Sequence, residues 1–176
     1  MSNPTLEAII NFLLDTPMFG DLDANELSQI VHIMQVRTLA PGDVVFKESD
    51  PGDAWYVVHT GEVEVRKDSG NGERVVANLG PRTCFGEMAI LDGSSRSATV
   101  IAATETTAFR FPRAEFNDLL NAGTLAAYKL VYQIALVLVS RQRRTTQRLV
   151  ELLKQDAPAV VRQGLAPIVE RSSVAE

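Results

Sequence analysis

Phe85-Gly86-Glu87-Met88-Ala89-Ile90-Leu91-Asp92-Gly93-Ser94-Ser95-Arg96-Ser97-Ala98-Thr99-Val100 holds the most informative chemistry in this chain. Gly86 lets the backbone pass close to a bound group, which a side chain would prevent. Residues 87–91 make one helical turn, halted by Asp92-Gly93. A helix start placed after a glycine exposes unpaired N–H groups and the positive end of the helix dipole, both of which favour an anion. Arg96, ten residues on, offers a planar cationic fork to the same anion, and the Ser97 hydroxyl and Ala98 N–H add donors. Glu87 beside an anion site makes sense if the ligand also carries a sugar, whose hydroxyl donates to the carboxylate while the carboxylate pairs partly with Arg96. Taken alone, these residues leave two readings open: a site for a small anionic ribonucleotide, or a structural turn with a surface Glu–Arg pair.

Outward from this segment lie short β-rich runs at 44–46, 55–58, 62–66, 74–79, 98–102 and 106–111, beginning where the pattern changes at Val36. Between them stand Pro41-Gly42-Asp43, Asp50-Pro51-Gly52-Asp53, Thr60-Gly61 and Gly70-Asn71-Gly72. Pro restricts φ and Gly frees it, as tight reversals require. Many short strands at near-regular spacing predict an antiparallel jelly-roll-like β-roll over 36–112.

Helices flank it, making the fold class α+β. In the N-terminal helical segment, 1–35, Leu6, Ile9, Ile10, Leu13 and Leu14 recur at helical spacing before Pro17 interrupts. A second helix starts at Asp23, with Glu26 placed for a capping box and Leu27, Ile30, Val31 and Met34 as its apolar stripe. His32 lies within it and is expected at the surface.

The C-terminal helices occupy 113–155: a short piece at 113–120, then a longer one over 124–154 with no internal proline, about 45 Å long at 1.5 Å per residue. Residues 134–139 are apolar on every face of that helix, so burial on more than one side is expected. Either a second copy of the chain or the N-terminal helices could supply the cover, and a homodimer through this helix is the expectation. Arg141, Arg143, Arg144 and Arg148 follow, read as a solvated face or as ligand contacts. Residues 156–176 carry two prolines, a glycine and a Ser-containing end, and read as a flexible tail.

Composition narrows the possibilities. The chain has 176 residues and 45% hydrophobic content, enough for one domain with a real core and some extra helix. Lys and Arg total 17 against 22 Asp and Glu, a net charge of -5, so no bulk positive field draws it to nucleic acid or anionic lipid. The single Cys84 excludes an internal disulfide framework, and with only His32 and His59 as histidines no metal site is expected. The start lacks a secretory pattern and the longest apolar run is far below the roughly 20 residues that span a bilayer. A cytoplasmic protein with no membrane partner is expected.

The segment 85–100 resembles the phosphate-binding cassette of cyclic nucleotide-binding domains, the family of catabolite activators, protein kinase A regulatory subunits and nucleotide-gated channels. Residues 41–48, 50–53, 56–58 and 61–63 look like that family's early strands and turns, and the resemblance covers roughly residues 19 to 155. It implies a ligand, cyclic AMP or less readily cyclic GMP, with no cofactor and no catalytic residue. By the same resemblance Glu87 holds the ribose 2′-hydroxyl and Arg96 the cyclic phosphate. Gly86, Met88, Ala89 and Ala98 line the site or donate backbone groups, and Ser97 is similar to the bacterial cyclic AMP binders.

Val65 and Val76 would touch the base or ribose from the roll, and the long helix would cap the base. There the chain departs from the catabolite activators' paired Thr and Ser hydroxyls. Arg141 and Gln142 stand in their place, and an arginine can stack on or hydrogen-bond a purine. Ser49, where many relatives have glycine, is a smaller departure. With about twenty residues after Lys154, no DNA-binding domain is expected. The implied function is a stand-alone sensor that signals by movement of the long helix to a dimer or to an unknown protein target. The alternatives are an interaction module with a vestigial cassette that dimerises without nucleotide, and a small enzyme on a jelly-roll scaffold.

Overall fold

In the computed structural model, which describes residues 5–70 and 72–156, two antiparallel four-stranded sheets form the roll. One has the order β1 (Gln35–Leu39), β8 (Thr106–Pro112), β3 (Ala54–Thr60), β6 (Cys84–Phe85). The other runs β2 (Val44–Phe46), β7 (Thr99–Ala102), β4 (Val63–Asp68), β5 (Glu73–Leu79). The helices are α1 (Leu6–Leu14), α2 (Ala24–His32), α3 (Met88–Asp92), α4 (Arg113–Asn121) and α5 (Leu125–Asp156), with a 3-10 turn at Pro17–Phe19.

The described residues belong to two compact units, Met1–Ile134 and Ala135–Glu176, and α5 begins in the first and ends in the second. The flexible tail expected over 156–176 lies outside the described residues, except for Asp156 at the end of α5, and so does Asn71 of the expected turn 70–72. Among the described residues no single helix is long and apolar enough to cross a membrane.

Strand β3 decides how the core is divided, because its first five residues are buried on both faces. Trp55 stacks on Phe111 at 4.1 Å between ring centroids, with Phe19 of the 3-10 turn and Phe116 of α4 around it. The alternate residues Ala54, Tyr56 and Val58 join Val63, Phe85 and Val100 inside the roll. Period-two alternation thus gives one strand two cores, one against helices and one inside the roll. Burying each large side chain contributes about 1.5–3 kcal/mol.

The capping box at α2 forms as its spacing predicts. The Asp23 carboxylate accepts from Glu26 N–H at 2.9 Å, and the Glu26 carboxylate accepts from Asp23 N–H at 2.9 Å. Glu26 also accepts from Lys129 Nζ at 2.7 Å, which ties α2 to the first turns of α5. His32 is exposed, as expected, and Cys84 is buried.

Two strands escape the sequence pattern. β1 pairs only with β8 and is mostly exposed, so its side chains show no clean alternation. β6 is two residues long, set by its pairing of Phe85 with Tyr56 and Cys84 with Val57. The apolar run in α5 also differs from expectation: Ile134 is fully buried, but Leu136 and Val139 are about half exposed. Among the described residues the apolar run is therefore incompletely covered.

Candidate functional site

The cassette is built from the end of β6, α3 and the start of β7. Gly86 has φ 76°, and a Cβ there would stand 2.8 Å from Arg96 Nη1 and 3.2 Å from the Phe46 ring. Only glycine fits both the left-handed backbone and the close approach of the guanidinium. Glu87 is the N-cap residue of α3 and is 2% exposed; Gly93, with φ 73°, ends the helix as its C-cap. α3 packs against the loop after β2, where Gly52 lies so close that a Cβ would be 2.3 Å from Ala89 Cβ.

Arg96 points inward and is 2% exposed. Its Nη1 donates to Gly86 O at 2.9 Å, and its Nη2 donates to Ala54 O at 2.7 Å and to Asp53 Oδ1 at 2.9 Å. The guanidinium lies 4.1 Å over the Phe46 ring. Its Nε–H is buried with no hydrogen-bond partner. A buried donor left unpaired costs free energy that an anion could recover, so the cassette retains an open demand for an acceptor.

Asp53 was legible only as a turn residue, yet it bridges two arginines, with its second oxygen accepting from Arg110 Nη2 at 2.7 Å. Burial pushes its carboxyl pKa up, but the hydrogen bonds and charges of Arg110 and Arg96 outweigh this and hold it below 3.8. The loop also binds the cassette through its backbone. Ser49 N donates to Arg96 O at 2.9 Å and Arg96 N donates to Asp50 O at 2.8 Å.

The remaining candidates fall into three groups. Ser97 and Met88 are exposed, with the Ser97 hydroxyl 3.8 Å from the Met88 sulfur; Ala89 is buried and Ala98 half-buried. Val65 packs against the roll's interior cluster. Val76 is 57% exposed, in a β-bulge where pairing shifts from Val65–Ala77 to Arg66–Val75. Val76 is the extra residue of the bulge and has no partner in the register. Arg141 and Gln142 lie in the second unit, on α5, half-buried and exposed respectively. The structure therefore gathers Gly86, Glu87, Met88, Ala89, Arg96, Ser97 and Ala98 in one cassette, with Val65 on an adjoining strand. Among the described residues no group of three or more His, Cys, Asp or Glu could hold a metal ion.

The two-sheet roll thus wraps a glycine-started helical turn around a buried arginine. The profile for the cyclic nucleotide-binding domain matches residues 36–122. The chain is 31% identical over 165 residues to the cyclic AMP receptor protein of Thermus thermophilus, covering 88% of this chain and 74% of that protein. The chain belongs to the cyclic nucleotide-binding domain family.

It is also 37% identical over 95 residues to the cAMP-dependent protein kinase regulatory subunit of Mycosarcoma maydis, over 54% of this chain but only 18% of the subunit's length. Among solved structures, a cyclic nucleotide-binding domain from Methylobacillus flagellatus superposes with a TM-score of 0.75 at 28% identity, covering 81% of this chain and 83% of that one.

Proposed function

We propose that the chain is a cyclic nucleotide sensor that takes cyclic AMP, with cyclic GMP the weaker ligand. The carrying observation is Arg96, a buried guanidinium whose Nε–H has no partner. In this reading the cyclic phosphate accepts from Arg96 and from the Ala98 N–H, and the ribose 2′-hydroxyl donates to Glu87. Gly86, Met88, Ala89 and Ser97 line the cradle. Val65, with Val76 across the bulge, meets the ribose or base, and Arg141 and Gln142 on α5 are the candidates for capping the base. The resemblance of Ser97 to the bacterial cyclic AMP binders supports cyclic AMP as the preferred ligand.

The signal passes through α5 to a homodimer or to another protein. Leu125, Tyr128, Tyr132, Leu136 and Val139 are exposed at three- and four-residue spacing along it, an apolar stripe suited to a second copy of the same helix. A nucleotide shifts such an equilibrium only by its preference for one helix position; a tenfold preference is about 1.4 kcal/mol.

One observation favours the alternative of a non-binding interaction module: both Nη atoms of Arg96 are already engaged by Gly86, Ala54 and Asp53. Calorimetry with cyclic AMP and cyclic GMP decides between the two. Arg96→Ala should weaken binding by about 2–5 kcal/mol, the cost of removing one side of a buried charge pair. Arg96→Lys, which keeps the charge but lacks the fork, should fall between. Absence of binding heat in the wild-type protein, or an Arg96→Ala loss within error, refutes the reading.

A further inference from the structure

Lys67, at the end of β4 and outside the cassette, reaches back to it. Its Nζ donates to the Ser97 carbonyl at 2.7 Å and also bonds the Glu48 carboxylate. Glu48 is fixed in turn: its second oxygen accepts from Asp68 N at 3.3 Å, and its own N–H donates to the Thr99 hydroxyl at 3.0 Å. The Lys67 hydrogen bond leads the causes that hold the Glu48 carboxyl below its usual pKa of 4.5, followed by the Asp68 N–H. The chain therefore places an anchored ammonium on one peptide oxygen of the cassette.

Every peptide in the described chain is trans, so the Ser97 C=O and the Ala98 N–H point in opposite directions across one rigid plane. Holding the carbonyl fixes where the N–H aims. A cation on the oxygen also polarises the amide and strengthens its donor end. We propose that Lys67, anchored by Glu48, is a positioning residue for anion binding, acting through the Ser97–Ala98 peptide to present the Ala98 N–H. The inference rests on the reading of the cassette as an anion site. It assigns a role to two residues 30 and 49 positions upstream of Ser97, neither of which needs to touch the ligand.

A plain electrostatic role makes a different prediction. If Lys67 acted only as a distant positive charge, removing the negative Glu48 would tighten anion binding. If it acts through an anchored peptide, removing Glu48 loosens the ammonium and weakens binding. Lys67 is half exposed, and exposed ion pairs add little to folding, so these variants should fold.

The test titrates cyclic AMP into wild type, Lys67→Met, Lys67→Arg and Glu48→Ala, and follows the Ala98 amide by nitrogen–proton correlation spectra of the free proteins. Lys67→Met should weaken binding about tenfold, the scale of one misplaced charge-assisted hydrogen bond, and move the Ala98 resonance. Lys67→Arg should restore most of both, and Glu48→Ala should weaken binding several-fold. Unchanged affinity in Lys67→Met, or tighter binding in Glu48→Ala, overturns the proposal. If wild type bound neither nucleotide, the reading of the cassette would fail, while the ligand-free spectra would still decide the peptide anchor. An unmoved Ala98 resonance in Lys67→Met overturns it in either case.

Discussion

Gly52→Ala tests the packing of the cassette from a residue that is not itself a proposed ligand contact. Gly52 does not sit in the left-handed region, so alanine brings no backbone strain there, and the added methyl acts by contact alone. It would lie 2.3 Å from the buried Ala89 Cβ of α3 and 3.4 Å from the Ala89 backbone. Carbon atoms settle at about 3.5–4.0 Å, so the loop and α3 must separate by more than an ångström.

Overpacking of this kind costs about 1–3 kcal/mol. For a chain of 176 residues that lowers Tm by roughly 2–12 °C. Because the same loop carries Asp53 and the backbone bonds to Arg96, cyclic AMP affinity should fall with stability. Ala89→Gly removes the opposing methyl, and the double variant should recover much of the Tm lost in Gly52→Ala, less up to about 1 kcal/mol for glycine in a helix. Thermal unfolding and calorimetry on the four proteins form a double-mutant cycle. Additive effects, or a Gly52→Ala protein with wild-type Tm and affinity, would refute the contact.

Gly86→Ala should cost about 1–3 kcal/mol, from a left-handed backbone at φ 76° and a methyl 2.8 Å from Arg96 Nη1, and should abolish detectable binding in the same calorimetry. His59 has a buried, unpartnered Nδ1 and a ring stacked on Phe109 and edge-on to Phe12, and burial pushes its pKa below 6.5. The unfolded chain then takes up this proton more readily than the folded one, so stability present above pH 6.5 is lost as pH falls below it. His59→Phe should remove that part of the slope in urea titrations between pH 7 and 5. Asp53 is held below 3.8 by its arginines, so its contribution is present above that pH and lost as pH falls through the folded value. The stability gap between wild type and Asp53→Asn should therefore narrow between pH 7 and 3.

What the sequence revealed and what it hid follow from range. The turn at 41–43 reads directly because Gly42 adopts φ 90°, and Asp23 with Glu26 reads directly because a capping box spans three residues. Arg96 could be singled out because its glycine and helical turn lie within ten positions. Its carboxylate partner could not: Asp53 is 43 residues away and looks like an ordinary turn acid until β3 is laid beside the cassette. Lys67 was hidden for the same reason. The bulge that leaves Val76 out of the register has no pattern of its own, and β1 and β6 take their places from pairing rather than from periodicity.

Burying a guanidinium is costly unless its hydrogen bonds are met, and here two carbonyls, a carboxylate and an aromatic face meet most of them before any ligand arrives. Among the described residues three buried side-chain atoms lack a partner: Trp55 Nε1, His59 Nδ1 and Arg96 Nε. Only the last belongs to a cation within the cassette. The arginine is thus pre-organised on its Nη side and unpaired on its buried Nε side. An incoming phosphate would complete a hydrogen-bond set rather than build one, with little side-chain entropy left to lose. On that argument loosening Asp53 should weaken binding even though Asp53 is itself an anion, since lost orientation would outweigh relieved repulsion. Asp53→Asn, which keeps the side chain's shape and one acceptor, should therefore bind cyclic AMP better than Asp53→Ala does. Binding by Asp53→Ala equal to or tighter than that of wild type would show that relieved charge repulsion, not orientation, dominates at this arginine.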